Sequence, residues 1–390
     1  MRVAPAGYPP RMDRSGVSRK VGLEEELLLV DPATRLVTAR SPEVLKGFRE
    51  HRRGRRAAVA TDELDQELFR HQLETRTAPT ESIDETLRQI RDARRTAGEA
   101  AAAVDLGVVA SGIVPSVIDR VLVSPNDRYR DMVDTFGEVA RTGGTCGMHV
   151  HVDIADDEEG VGVIDRLAPW LPLLLAVSAN SPIYDARDTA YASWRSQVWA
   201  RWPSAGPTEQ FGSLAGYRSV CAMLLETGAA RDEGMLYFDA RLAAAHPTLE
   251  IRIADVCTDP LDAVLVAALA RALVETFARE HAAGEETPPW RAEELRAAQW
   301  RAARYGVTER LVHPVARALA PADEVLAALV DRTRPALAEA GDLELVEDGV
   351  RRVRHLGGAT RQRAAYERTG SVDGVVDDLL ERTRVSWADA

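Results

Sequence analysis

The stretch "GTCGMHVHVDIAD", Gly144 to Asp156, sets two imidazoles and a carboxylate at every second position. In a strand, side chains two apart share a face. His149, His151 and Asp153 therefore point one way, and Val150, Val152 and Ile154 the other. A merely wet strand face carries Lys, Thr, Glu and Ser rather than two histidines and an aspartate. Two chemical readings stand beside the solvated edge. One is a metal-dependent hydrolase that uses His149, His151 and Asp153 as ligands. The other is one wall of a larger polar pocket. Three ligands on a single strand are geometrically tight, and the helical HExxH pattern of zinc hydrolases is missing. Cys146, beside the histidines, reads as a small buried residue rather than a nucleophile.

Other segments carry matching chemistry. In "VGLEEELLLVD" (Val21–Asp31), Glu24 and Glu26 share one face and Glu25 takes the other. Three adjacent carboxylates repel and need compensation in an apolar strand. A same-face pair invites a cation, and hard oxygen ligands suit Mg²⁺ or Mn²⁺ better than zinc. The structural alternative is pairing with nearby arginines. "TLEIRIAD" (Thr248–Asp255) puts Glu250 and Arg252 on one face and Leu249, Ile251 and Ile253 on a core-facing row. "ELDQELFRHQLETRT" (Glu63–Thr77) has Leu64, Leu68 and Leu73 at near-helical spacing. That spacing predicts a helix, with Glu67 and Glu74 two turns apart on one face and Gln72 and Arg76 close by.

These residues need a scaffold. Ser82 begins a long helix to about Gly107, with Glu85 three residues on as a capping box. The alternating charges of that helix predict a solvated face. "VVASGIV" reads as a short strand, Asp165–Ala179 as a helix, and Thr189–Gly216 as a long irregular loop. "PLDAVLVAALARALVETFARE" (Pro260–Glu280) is a buried helix that starts at proline. Its Ala-rich stretch, Ala263–Ala278, offers a face to a second copy of the chain, the basis for expecting a homo-oligomer. From about residue 288 to 390 the chain is mostly helical, with turns near Gly306, Pro314, Gly341 and Gly357. Strands separated by unequal insertions, followed by a helical tail, predict an α+β fold with a largely antiparallel sheet. The expected organisation is a flexible basic leader, 1–19, and a single domain, 20–390.

Composition narrows the function. A chain of 390 residues, 45% hydrophobic and 28% charged, has the profile of a globular protein. A net charge of -12 argues against an electrostatic grip on nucleic acid or on an anionic membrane. The most apolar run, Leu167–Ala179, is too short to span a bilayer and holds two prolines. Three scattered cysteines without a CxxC suggest reduced thiols and a cytoplasmic protein. Neither common Gly-rich phosphate loop is present.

Taken in order, "GLEEE", "QLETRT", "GMHVHV", "SANSP", "TLEIRIAD" and "WRAARYG" (Trp300–Gly306) resemble the glutamate–cysteine ligase type 2 family of carboxylate–amine ligases. The resemblance runs from about Val21 to Gly306 and does not include the leader. It implies a glutamine-synthetase-like fold, in which a curved antiparallel sheet forms a funnel with helices on its outer face. ATP would enter at one end and the carboxylate substrate at the other, with Mg²⁺ between them. By the same resemblance, Glu24, Glu26, Glu67, Glu74, His149 and Glu250 would hold metal. Arg195 in "ASWRSQ" and Arg252 would meet phosphate or carboxylate oxygens. His151 would assist the amine or serve a structural role. The implied reaction activates a carboxylate, such as glutamate, as an acyl phosphate, which an amine such as cysteine then displaces. A relative that binds nucleotide without turnover is the remaining alternative.

Overall fold

The computed structural model describes residues 18–52, 64–117, 122–141 and 144–387. The strands are β1 (Val21–Val30), β2 (Leu64–Gln66), β3 (Gln72–Arg76), β4 (Gly107–Val109), β5 (Gly147–Asp153), β6 (Ile183–Tyr184), β7 (Arg187–Asp188), β8 (Ala240–Leu242), β9 (Thr248–Asp255), β10 (Arg310–Val312) and β11 (Leu319–Pro321). One sheet runs β2-β3-β1-β5-β9-β8, with β4 paired to the far end of β1. Every pairing in it is antiparallel, and β6–β7 and β10–β11 are separate hairpins. The α+β class with an antiparallel sheet is therefore what the chain adopts.

Register does most of the positioning. Glu24 lies beside His149 on β5, and Glu26 beside Glu74 on β3. His151 lies beside Glu250 on β9, and Glu250 beside Arg241 on β8. Alternation then turns these groups to one face. The other face buries Val150, Val152, Leu249 and Ile251 in the main core.

The Glu63–Thr77 stretch is not a helix. It forms the hairpin β2–β3, and the leucine spacing that suggested a helix is outweighed by period two in "QLETR". Gln72, Glu74 and Arg76 face one side, while Leu73 and the β-branched Thr75 are buried on the other. Glu63 itself lies outside the described residues.

The helices are α1 (Ser41–Arg52), α2 (Ile83–Ala102), α3 (Asp127–Phe136), α4 (Glu138–Arg141), α5 (Asp157–Leu167), α6 (Leu171–Ser178), α7 (Trp194–Trp199), α8 (Leu214–Glu226), α9 (Pro260–Ala282), α10 (Ala292–Tyr305), α11 (Ala322–Ala340), α12 (Leu343–Leu356), α13 (Gly358–Thr369) and α14 (Val372–Val385). Ser82 caps α2 by accepting the Glu85 N–H at 3.2 Å. The Glu85 carboxylate turns outward to Arg88 and Gln89. The same helix carries one fully buried cation, Arg94, so its charges are not all solvated. The expected helix at Asp165–Ala179 is two, α5 and α6, meeting at 71°. Among the described residues no single helix is long and apolar enough to cross a membrane. The expected loop at Thr189–Gly216 holds the short helix α7, capped by Ser193, and its last three residues already begin α8.

Helix α9 is buried against the sheet and its neighbouring helices, with Ala263 to Leu273 almost wholly enclosed. Its alanines serve close packing within this chain, so they are not an open face for a second copy. The helical C-terminal part closes the same structure, because Val375, Val376 and Leu379 of α14 pack with Leu27 to Val30 of β1. Residues 1–17 of the expected leader lie outside the described residues. Its last residue, Arg19, is buried, bonding Glu275 at 2.6 Å and Glu159 at 2.7 Å, and so is part of the fold.

Candidate active site

The polar face of the sheet opens into a cavity of about 310 Å³. Glu24, Glu26, Glu67, Glu74, His149, His151, Glu250 and Arg252 all line it. Residues from four strands and one hairpin turn thus meet in one place. Asp153 is not in the wall, so the His149–His151–Asp153 set imagined for a hydrolase is not assembled. Ligand atoms of Glu24, His149 and Glu250 instead lie within 4.8 Å of one another.

At this first nest, His149 Nδ1 is 3.2 Å from Glu24 Oε2 and 3.9 Å from Glu250 Oε1. Burial works to raise the Glu24 carboxyl, but hydrogen bonds and charge from His149 and His151 outweigh it and hold it well below the usual range. Glu250 is likewise held down, against burial, by Arg252 and Arg241. Arg241 grips it through two contacts of 2.7 and 3.2 Å, and Arg252 Nη1 also bonds it. Burial, then the charge of Arg252, lowers the pKa of His149. The nest therefore sets two carboxylates that favour the ionised form beside a buried imidazole, ligand types that a divalent cation accepts.

The second nest is Glu26, Glu67 and Glu74. Glu67 sits on the turn of the β2–β3 hairpin, and hairpin closure rather than helical spacing brings it to Glu74. Burial, then the charges of Glu26 and Glu74, pushes Glu67 well above the normal carboxylate range. Burial also raises Glu26, against Arg195 and the Gly147 N–H, which donates to Glu26 Oε2 at 2.7 Å. Burial and mutual repulsion thus favour the protonated form among these carboxyls. The donor set, all oxygen, fits Mg²⁺ or Mn²⁺.

The arginines divide. Arg252 lines the cavity, its guanidinium 5.7 Å over the Tyr237 ring. Arg195 is buried behind the sheet edge, with Nη1 and Nη2 on the carbonyls of Ile253 and Arg252. It does not line the main cavity but a small recess beside it. A Cβ at Gly147 would lie 2.3 Å from Arg195 Nη2, so any larger residue there would displace the guanidinium. His151 bonds Thr248 Oγ1 at 3.0 Å, lies 3.7 Å from Glu24 Oε2, and meets the His246 ring edge-on at 6.4 Å. Cys146 is buried, and its thiol is pushed well above its ordinary pKa, first by burial and then by Glu26. It has no nucleophile's environment.

Sequence reasoning missed Arg241, Tyr237, Trp199, Trp202, Arg128 and His246, all in the cavity wall. Only Arg241 left a signal. "ARL" continues the alternation of a hairpin that "TLE" completes.

A model of glutamate–cysteine ligase family 2 matches residues 20–382. A Nocardioides protein, provisionally named glutamate–cysteine ligase 2-1, is 66% identical over 372 residues, covering 95% of this chain and 97% of that protein. A Streptomyces coelicolor protein, provisionally named glutamate–cysteine ligase 2, is 45% identical over 370 residues, or 94% and 100% of the two chains. The fold is shared with a glutamate–cysteine ligase from Francisella tularensis crystallised with AMP, at TM-score 0.66 and 13% identity, covering 95% of this chain and 89% of that one. It is also shared with a bifunctional glutathione synthetase from Pasteurella multocida, at TM-score 0.68 and 17% identity, covering 95% and 52%. The chain belongs to glutamate–cysteine ligase family 2 and is an ATP-dependent ligase that joins a carboxylate to an amine.

Proposed function

We propose that the chain activates the side-chain carboxylate of glutamate with ATP and joins it to the amine of cysteine, and that the two nests hold Mg²⁺, or Mn²⁺, beneath the nucleotide's terminal phosphates. The observation that carries this reading is the meeting of six potential metal ligands, distant in sequence, in one cavity. Glu24, His149 and Glu250 would hold one cation, and Glu26, Glu67 and Glu74 another. The cations would screen the charge that gathers as one anion attacks another.

The chain's own groups supply the rest. Arg241 fixes the Glu250 carboxylate, so a ligand position does not wander. Arg252 brings positive charge to the cavity where phosphate or carboxylate oxygens would lie, and Arg195 supports it from behind. His151 faces the same space from the next position along β5 and is placed to meet the incoming amine. Trp199, Trp202 and Tyr237, with ring centroids 4.7 to 6.3 Å apart, make a wall that excludes water from an activated carboxylate. Three free, buried cysteines suit a reducing compartment such as the cytoplasm.

The test is ADP release with ATP, Mg²⁺ and a matrix of carboxylates and amines, with product mass read directly. The expected result is ADP only when both partners are present, and none after chelation of the metal. ADP formed without an amine, or nucleotide bound without being consumed, would overturn the proposal.

A further inference from the structure

A recess beside the main cavity shares Trp199, Tyr237 and Arg252 with it. It holds about one water-sized group. Asp239 and Gln299 stand at its wall. The backbone fixes Asp239 there, its N–H donating to the Gly206 carbonyl at 3.1 Å and its carbonyl accepting from the Arg252 N–H at 2.8 Å.

The Asp239 side chain is poorly served. Its one hydrogen bond among the described residues is a long contact from Gln299 Nε2, 3.3 Å to Oδ1. No cation among them lies within ion-pair distance. The two nearby guanidiniums are committed elsewhere, Arg195 to backbone carbonyls and Arg252 to Glu250. Asp255, fully buried, shows what a structural aspartate receives: Ser181 Oγ at 2.6 Å, Ser193 Oγ at 2.8 Å, the Asn180 N–H at 2.9 Å and Arg195 Nη1 at 3.8 Å. Burial, against Gln299 and Arg195, lifts the Asp239 carboxyl to about 7. A carboxylate this enclosed and this short of partners is relieved either by a proton or by a cation. Beside it, Nε of Arg195 and Nε of Arg252 are buried donors without a hydrogen-bond partner. Acceptors and spare donors thus stand side by side, and the shared residue Arg252 joins them to the main cavity.

A divalent metal does not suit this recess. One carboxylate and one amide fall short of an oxygen-rich set, and two guanidiniums adjoin them. A primary ammonium carries half the charge of a divalent metal, so it meets less repulsion from the guanidiniums. It is water-sized and can donate to the Asp239 carboxylate and the Gln299 carbonyl oxygen, while the spare Nε donors suit a carboxylate oxygen of the same substrate.

We propose that the recess takes the primary ammonium group of the carboxylate-donating amino acid on Asp239 and Gln299, making Asp239 a specificity-determining residue of the ligase. The assignment rests on the ligase reading above. The test uses the full chain and Asp239→Asn, which keeps the side-chain shape and removes the charge. The amino acid that donates the carboxylate is compared with its deaminated carboxylic acid, with the amine partner held constant. The expected result is a KM for the amino acid raised about ten-fold or more in Asp239→Asn, as loss of a charged hydrogen bond gives. Discrimination against the deaminated acid should collapse, while KM for ATP and kcat stay near wild type. Thermal stability should hold or rise, because a poorly partnered buried carboxylate has become a neutral amide. Unchanged discrimination in Asp239→Asn overturns the proposal, as does a lowered melting temperature with KM unmoved, the mark of a structural role.

Melting-temperature shifts separate this from failure of the ligase reading. If no pair yields ADP, the reaction assignment falls. The recess is then judged by whether any of the twenty amino acids stabilises wild type more than its deaminated analogue, and whether Asp239→Asn removes that margin. No margin in wild type overturns it.

Discussion

Glu25 and its neighbours Glu24 and Glu26 are adjacent on β1 and opposite in circumstance. Glu25 turns toward α2, where Arg94 meets it with contacts of 2.9 and 2.6 Å and also caps the carbonyls of Thr258 and Cys257. Both side chains are shut away from water and complete each other. Glu26, on the other face, accepts one backbone N–H and confronts Glu67 and Glu74. Where the chain supplies its own counter-charge, the carboxylate builds structure. Where the chain leaves the charge incomplete, the carboxylates line the cavity proposed to hold metal and nucleotide. Arg94→Met gives the largest effect that can break this contrast. A buried glutamate left without its partner should cost about 3–5 kcal/mol, read as a fall in the urea midpoint, with turnover per folded molecule little changed. Stability equal to wild type would show that the pair does not hold the sheet to α2.

Glu24→Gln should do the reverse. The amide can still hydrogen-bond His149, so the loss of stability should be smaller than for Arg94→Met. Turnover of ATP should fall about a hundred-fold or more, the scale of losing one group that stabilises transition-state charge. Near-normal kinetics would remove Glu24 from the site.

The same contrast explains what the sequence could tell. Period-two alternation in β1, β5 and β9 was legible, and it sorted Glu24, Glu26, His149, His151, Glu250 and Arg252 onto one face. It also set Glu25 apart without naming Arg94, because a partner on a helix sixty-nine residues away leaves no trace in spacing. Glu67 and Glu74 were paired for the wrong reason. Leucines at helical spacing concealed a hairpin whose closure makes the same meeting. Arg195 was singled out, yet its terminal nitrogens face backbone carbonyls, a burial that no local pattern announces. Asp239 gave no signal at all, since its interest lies in the partners it lacks.

The smallest effect, and the sharpest probe of incomplete charge, is the pH dependence of the metal-free protein. Glu67 is raised in the fold by burial, then by Glu26 and Glu74. The unfolded chain therefore loses this proton first, near the ordinary glutamate value of about 4.3. Between there and the raised folded value, the native state binds more protons than the unfolded one, so stability falls as pH rises. Other groups titrate in the same window, so the informative quantity is the wild-type melting temperature minus that of Glu67→Gln. That difference should become more negative with rising pH in chelator, and Mg²⁺ should flatten it by supplying the charge that the proton had supplied. A difference independent of pH would mean that Glu67 lies in a relaxed, solvated place. The hairpin turn would then belong with Glu25 among the parts of the molecule that need nothing from outside.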